Sequence, residues 1–104
     1  MARFDVFPNP DAAERKRIPY FLDVQNNHIK GIQTRVVVPL WWSKLLPTQL
    51  EELNPEFNID GASVVMDTPS IGAAPLLLLR KPVTNLVAHQ LVIQNSLDTL
   101  FGGY

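Results

Sequence analysis

The stretch QTRVVVPL, residues 33–40, carries three consecutive valines, Val36 to Val38, near the middle of the chain. Valine is stiff at χ1 because its side chain branches at Cβ, and it packs well on a pleated, buried surface. This stretch therefore predicts the best-defined β-strand of the chain. Pro39 has no backbone N–H to give to a ladder, so we expect the strand not to continue past it as a central strand.

Two further strands are expected on the N-terminal side of this stretch. RFDVF, residues 3–7, alternates apolar and polar side chains, which is typical of a short strand. IPYFLDVQ, residues 18–25, predicts the next strand, and NNHIKG, residues 26–31, predicts the turn that ends it because Asn and Gly tolerate left-handed backbone angles. Between the two strands, PNPDAAERKR holds two prolines and a charge cluster and is expected to be a loop.

The C-terminal side predicts a hairpin and one more strand. EFNIDGASVVM, residues 56–66, places Asp60-Gly61 between two apolar runs, the strongest short-range hairpin signal in the chain. AAPLLLL, residues 73–79, is a further strand candidate, with Pro75 suggesting an edge or a strand start. WSKLLPTQLEEL, residues 42–53, should form only short helical pieces because Pro47 interrupts it.

The last element is expected to be a helix from about Thr84 to Leu100, since Thr84 is a good N-cap and the segment contains no Gly or Pro. At 100° per residue one apolar stripe should face the sheet. It consists of Leu86, Ile93, Leu97, Leu100 and Phe101. Val87 and Leu91 lie to one side, in line with Asp98, and either meet a partner subunit or lie under a loop.

Composition narrows the function classes. The chain has 104 residues, expected to form a single domain over 1–104, with 46% hydrophobic and 18% charged residues as in soluble globular proteins. A net charge of −1 argues against a protein that binds nucleic acid by charge alone, and the lack of cysteine removes disulfides and thiolate chemistry. No apolar run approaches signal-peptide or membrane-span length. We therefore expect a cytoplasmic protein that requires no metal and no other cofactor.

Signals for an enzyme are weak. His28 lies in a polar turn and His89 in the expected helix, without the spacing of a metal site or the glycine-rich loop of a phosphate site. His28 could act as a general base beside Asp23, but a solvated turn histidine is the commoner arrangement. We accordingly predict no catalytic residues.

The C-terminal residues are unusual for a chain end. In NSLDTLFGGY, residues 95–104, Phe101 and Tyr104 flank the flexible pair Gly102-Gly103. The glycines permit a sharp change of direction after the helix. The two rings either pack on the domain surface or form an aromatic anchor for a partner.

The order of these elements resembles the CcdB toxins of bacterial toxin–antitoxin systems, and the resemblance runs nearly end to end. It rests on FLDVQ leading to RVVVPL, on MDT followed by AAPL, and on a final helix ending SLDTLFGGY. The resemblance implies a mainly β fold, an SH3-like barrel of antiparallel strands with a C-terminal helix, that forms a homodimer. It also implies a non-catalytic toxin that binds the DNA gyrase A subunit and traps the cleaved-DNA complex.

Carried over by position, the gyrase-facing residues would lie at the chain end, on the helix and on the turn: Phe101, Gly102, Gly103, Tyr104, Asp98, His28 and Ile29. The sequence departs from the family pattern within this set. The usual ending is Trp-Gly-Ile, whereas Gly102 stands at the tryptophan position and Tyr104 is last. Asp98 replaces the usual Asn, and His28 replaces the usual Ile.

The second partner implied by the resemblance is a CcdA-like antitoxin whose disordered segment folds onto the toxin. The apolar stretch around Trp41, Trp42, Leu45 and Leu46 is our candidate for part of that binding groove. Two alternatives remain open. One is a non-toxic homologue that dimerises and binds antitoxin but not gyrase, and the other is a MazF-like endoribonuclease using His28 and Arg35.

Overall fold

The longest strand is built on the valine stretch, as its composition predicts. The computed structural model describes residues 1–29 and 31–102. Its strands are β1 Asp5–Pro8, β2 Tyr20–Asp23, β3 Thr34–Trp42, β4 Glu56–Ile59, β5 Ala62–Met66, β6 Gly72–Pro75 and β7 Thr84–Asn85, followed by the helix α1 Gln90–Phe101. Short 3-10 turns occupy Glu14–Lys16, Thr68–Ser70, Leu76–Leu78 and Val87–His89.

All of these strands join one antiparallel sheet in which β3 is central. The order is β4-β5-β3-β2-β1-β7, and β6 also pairs with β3. One edge of β3 pairs with β2. Its other edge is divided between β6, opposite Thr34 to Val37, and β5, opposite Leu40 to Trp42. The result is a nearly closed barrel with a C-terminal helix, which confirms the expected SH3-like fold.

The expectation that Pro39 ends the central strand is wrong, because β3 continues through it to Trp42. The Val24 N–H donates to the Val36 carbonyl at 3.0 Å, so alternate residues from Val36 onward direct their backbone polar groups toward β2. Pro39 faces the other edge, in the gap between β6 and β5, where its carbonyl accepts from the Asp67 N–H at 2.9 Å. A residue without an N–H removes no ladder bond at this position.

The hairpin at Asp60-Gly61 is confirmed. Both residues have positive φ, 52° at Asp60 and 82° at Gly61, and they join β4 directly to β5. This is the two-residue turn whose twist matches that of the flanking strands. Residues 43–54 form turns and irregular backbone, in agreement with the expected effect of Pro47.

The strand expected over 73–79 is shorter. β6 ends at Pro75, and the Leu76 N–H donates to the carbonyl of Gln33, the residue before β3, at 2.9 Å. Leu76–Leu78 then form a 3-10 turn. Its central residue, Leu77, is 88% exposed. The position of β6 at an edge agrees with the proline it contains.

The predicted start of the helix at Thr84 is also wrong, since Thr84 lies in β7 and pairs with Val6. Two bonds of the Asn85 side chain accompany this pairing: its amide donates to Asp5 Oδ1 at 2.9 Å, and its Oδ1 accepts from the Val87 N–H at 2.8 Å. These bonds fix Asn85 beside β1 and begin a 3-10 turn. The α-helix therefore starts six residues later than predicted, at Gln90.

Core side chains lie on both faces of the sheet because strand residues alternate in direction. The larger cluster includes Val38 and Leu40 from β3 together with Ile93 of α1, and Leu97 packs against it. The smaller cluster, on the other face, is built from Phe7, Val37, Ala74 and Leu79. The helical stripe expected to face the sheet is therefore correct at Leu86, Ile93 and Leu97 and wrong at Phe101, which is 70% exposed.

Candidate functional site

The end of α1 presents an aromatic side chain to solvent. Ile93 and Ser96 are buried against the barrel, whereas Asp98 is exposed and Phe101 is 70% exposed. Gly102 ends the helix in the left-handed conformation, with φ of 74°, and its N–H donates to the Asp98 carbonyl. This is the predicted glycine C-cap. The other two predicted tip residues, Gly103 and Tyr104, lie outside the described residues.

Apolar side chains are also exposed near the start of α1 and on the turn before it. Val87 is 55% exposed and Leu91 is 72% exposed, so the alternative that a loop covers them is wrong. Leu91 and Asp98 are seven residues apart and therefore lie on the same side of the helix. The predicted dimer residues thus share an exposed face with a predicted gyrase-facing residue.

The turn that carries His28 and Ile29 is exposed and is organised by Asn26. The Asn26 side chain accepts from the His28 N–H at 2.8 Å, and its carbonyl accepts from the Ile29 N–H at 3.2 Å. Ile29 is 48% exposed. Within the part of the chain that the structure describes, no hydrogen bond, ion pair or ring contact joins this turn to Asp98 or Phe101.

A buried ion pair, which our sequence reasoning missed, closes the base of the same turn. Asp23 is fully buried and accepts two bonds from Arg35, at 2.8 Å from Nε and 3.0 Å from Nη2. Asp23 Oδ1 also accepts from the Gln25 N–H at 2.9 Å. Asp23 stands opposite Val37, two residues from Arg35, so both side chains lie on one face. The sequence signal that could have indicated this pair is the position of the Asp23 carboxylate between the apolar residues Leu22 and Val24 of a predicted strand.

The proposed catalytic pairs are not assembled. Arg35 is 7% exposed and pairs through Nε and Nη2 with Asp23, whereas His28 lies in an exposed turn, so the two do not form an exposed catalytic pair. Asp23 is fully buried and accepts its hydrogen bonds from Arg35 and from the Gln25 N–H, whereas His28 is exposed. His89 packs its ring on Phe57, with centroids 5.2 Å apart.

The two tryptophans point to opposite faces, as their adjacency predicts. Trp42 packs against the core and makes an edge-to-face contact with Tyr20 at 6.3 Å. Trp41 Nε1 donates instead to Asp67 at 3.0 Å. A groove of about 630 Å³ has Trp42, Leu45, Lys44 and Glu56 among its lining residues. Of the predicted antitoxin residues, this groove contains Trp42 and Leu45, while Trp41 and Leu46 lie outside its lining.

Among the described residues, Tyr20, which contacts Trp42 of this groove, has a perturbed pKa. Partial burial raises the pKa of its phenol above the ordinary value of 10.0, and the nearby Asp60 carboxylate raises it further. Both effects disfavour the phenolate. Tyr20 therefore remains a neutral aromatic partner of Trp42 at physiological pH.

A nearly closed antiparallel barrel with a C-terminal helix defines the SH3-like class of fold. The family model described as CcdB protein matches residues 3–103, and the chain belongs to the CcdB family. By class this makes it a toxin of a toxin–antitoxin system. A comparison with individually characterised proteins returned no match. In the part of the chain that the structure describes, no helix is long and apolar enough to span a membrane.

Proposed function

We propose that this protein is a cytoplasmic, non-catalytic toxin that binds the DNA gyrase A subunit, traps the cleaved-DNA complex and is neutralised by a CcdA-like antitoxin. Family membership supports the toxin class. The single observation that carries the gyrase assignment is Phe101, an aromatic side chain that is 70% exposed at the end of α1. Aromatic side chains of this kind are common anchors of protein interfaces.

The proposed gyrase-facing surface consists of Asp98, Phe101 and Gly102 of the helix end, the turn residues His28 and Ile29, and the tip residues Gly103 and Tyr104. Phe101 contributes little to the core because it is mostly exposed. Its ring is therefore free to be buried against a partner. Gly102, the next residue, ends the helix in the left-handed conformation.

A homodimer fits the same end of the molecule. Leu91 and Val87 form an exposed apolar face whose burial against a second copy would remove it from water. A two-fold axis at this face would present two copies of the helix end to a dimeric target.

For the antitoxin we propose the groove beside Trp42 and Leu45. Leu45 is 47% exposed, and the groove combines its apolar side chain with the charged Lys44 and Glu56. A disordered segment that orders on binding requires such a mixture of apolar contact and polar rim. The net charge of −1 supports the further proposal that the chain does not bind DNA by itself.

The second candidate is a non-toxic homologue that folds, dimerises and binds antitoxin but not gyrase. Gly102, at the position of the usual tryptophan, and Asp98, a carboxylate in the proposed interface, favour it. Loss of one buried aromatic anchor costs about 2 kcal/mol or more of binding free energy. An unpaired carboxylate at an interface adds a desolvation cost.

Overproduction in a gyrase-dependent bacterial host separates these candidates. We expect growth arrest by the wild-type chain, relief by co-expression of the antitoxin encoded beside its gene, and loss of arrest in Phe101→Ala. Leu77→Ala is the matched control because Leu77 is 88% exposed on a different element. No growth arrest by folded wild-type protein would support the non-toxic homologue instead.

Antitoxin binding is tested separately with Leu45→Asp. We expect this variant to stay toxic while co-expressed antitoxin no longer relieves the arrest, because a carboxylate would replace an apolar groove contact. Leu50→Asp, at a leucine that is 56% exposed and outside the groove lining, should still be neutralised. Neutralisation of both variants alike would place the antitoxin elsewhere.

A further inference from the structure

A second cavity, of about 400 Å³, opens between the turn after β2, the start of β3 and the end of β6. Its apolar wall includes Met1, Ile29 and Ile32, which are 55%, 48% and 47% exposed, together with Leu76. Its polar wall includes Gln25 and Arg35, which are 5% and 7% exposed. The cavity therefore has a solvent-exposed apolar opening and two deeply buried polar side chains.

Gln25 uses only half of its side-chain amide within the protein. Its Oε1 accepts from the Val36 N–H at 3.0 Å, which fixes the orientation of the amide group. Its Nε2 is buried and has no hydrogen-bond acceptor. A buried donor without an acceptor costs about 1–3 kcal/mol. An occupant that supplies an acceptor would recover that cost.

Arg35 is a second donor with unused capacity. Its Nε and Nη2 bind Asp23, and Nη2 also donates to the Gln25 carbonyl at 3.3 Å. Its third nitrogen, Nη1, makes no hydrogen bond to any of the residues that the structure describes. Asp23 is not among the lining residues, and neither Asp nor Glu occurs among the described residues that line the cavity. The described lining thus offers an amide donor and the remaining nitrogen of Arg35, whose charge already pairs with Asp23 from outside the lining.

We propose that this cavity binds the carboxylate of a small apolar acid. The carboxylate would accept from Gln25 Nε2 and Arg35, and the apolar portion would lie against Ile29, Ile32 and Leu76. A carboxylate has two acceptor oxygens, so it matches two neighbouring N–H donors better than a single carbonyl does. Such a group occurs both in free acids and at the C-terminus of a peptide.

The test is an NMR titration of the folded wild-type chain with sodium hexanoate, N-acetyl-leucine and 1-hexanol. Hexanoate represents a free acid, N-acetyl-leucine represents a peptide C-terminus, and hexanol has the same chain without a carboxylate. We expect saturable binding of one or both acids with a dissociation constant of ~1 mM, a value in keeping with ligands of this size. The side-chain amide resonances of Gln25 should shift with the acids and stay in place with hexanol. The acid that binds more tightly identifies the source.

Two variants of Gln25 test whether the cavity recognises the carboxylate or only binds the apolar chain of the ligand. Gln25→Glu keeps an oxygen for the Val36 N–H but replaces the donor with a carboxylate beside Arg35, so acid binding should weaken at least tenfold. Gln25→Met removes the donor without adding charge and should weaken binding in the same direction. Gln33→Glu is the matched control, because Gln33 is exposed, lies outside the lining and undergoes the same chemical change.

Three results would overturn the proposal. They are the absence of saturable acid binding by the folded wild-type chain, equal binding of hexanol and hexanoate, and equal weakening by Gln25→Glu and Gln33→Glu. The wild-type resonances alone decide the first two, so the proposal does not depend on the stability of a variant. The cavity shares Ile29 with the proposed gyrase-facing surface, but the titration uses the chain without gyrase, so toxicity results do not decide it.

Discussion

Asp23 is a fully buried carboxylate whose charge is balanced by one cation. Arg35 meets it with two hydrogen bonds at 2.8 and 3.0 Å, and the pair joins the end of β2 to the start of β3. Such a pair is costly to desolvate, so its presence alone does not imply a large gain in stability. Removal of one partner, however, leaves the other charge buried without compensation.

We therefore predict that Asp23→Asn and Arg35→Met each lower the free energy of unfolding by about 3–5 kcal/mol. Urea unfolding of each single variant and of the double variant measures this. The double variant should lose less than the sum of the two because no uncompensated charge remains. Arg15→Met, at an exposed cation, is the control. A loss below about 1 kcal/mol in both single variants would contradict a buried, coupled pair.

The raised pKa of Tyr20 implies that the stability of the fold decreases at alkaline pH. This pKa is raised in the folded protein, first by burial and then by Asp60, above the ordinary value of 10.0. The unfolded chain then loses the phenolic proton first, so stability is fully present below pH 10 and falls as the pH rises through 10 and above. Tyr20→Phe should flatten this decline. Thermal unfolding from pH 8 to 11 tests the prediction, and an equally steep decline in both proteins would contradict it.

At the scale of elements, the hairpin between β4 and β5 depends on backbone conformation rather than on packing. Gly61 has φ of 82°, and a Cβ added there would meet nothing within 4 Å. Gly72 also has space, its nearest atom being 4.0 Å from an added Cβ, but its φ is not positive. The two glycines therefore separate the cost of a left-handed backbone from the cost of steric contact.

We predict that Gly61→Ala lowers the free energy of unfolding by about 1–2 kcal/mol, the cost of a left-handed conformation for a residue with a Cβ. Gly72→Ala should be near neutral. Urea unfolding of the two variants is the measurement. Equal effects at both positions would show that the turn does not impose the conformation on Gly61.

The predictable elements are those whose information is local. The valine run and the Asp60-Gly61 pair each predict their structure from a few neighbouring residues, and the strand and the hairpin are both present. Thr84 has the chemistry of a helix cap, but its pairing with Val6, 78 positions away in sequence, overrides that preference. Pro39 is tolerated because of its place between two neighbouring strands, which no local pattern reveals.

The candidate sites likewise divide into features that local sequence predicts and features that depend on contacts distant in sequence. Exposure of Asp98, His28 and Ile29 follows from their positions on a helix face and in a polar turn. The groove beside Trp42 also has lining residues from β4 and β5, and the cavity beside Gln25 has Leu76 in its lining. Such surfaces arise from contacts distant in sequence. The missed Asp23–Arg35 pair likewise depends on the register between β2 and β3.

At the scale of the whole molecule, the barrel buries one face of α1 and leaves two apolar side chains exposed near the start of the helix. Leu91 is 72% exposed, and Val92 beside it is 47% exposed. We propose that a second copy of the chain covers these side chains. Leu91→Glu would then place a charge in a buried interface, at a cost of several kcal/mol.

Leu91→Glu should therefore yield a folded monomer, whereas wild type and Leu77→Glu remain dimers. Light scattering coupled to size-exclusion chromatography measures the mass, and circular dichroism checks the fold. Leu77 is the control because it is the more exposed leucine, at 88%, and lies outside the helix. A dimer that persists in Leu91→Glu would place the interface on another face.

The most direct test of the central proposal is a cleavage assay with purified protein, bacterial gyrase, ATP and supercoiled plasmid, quenched with detergent and scored for linear DNA. The account predicts linear DNA with wild type and Leu77→Ala, and a loss of about tenfold or more with Phe101→Ala. No linear DNA from the folded wild-type protein, with several bacterial gyrases, would contradict gyrase poisoning and leave the non-toxic homologue as the function of this fold.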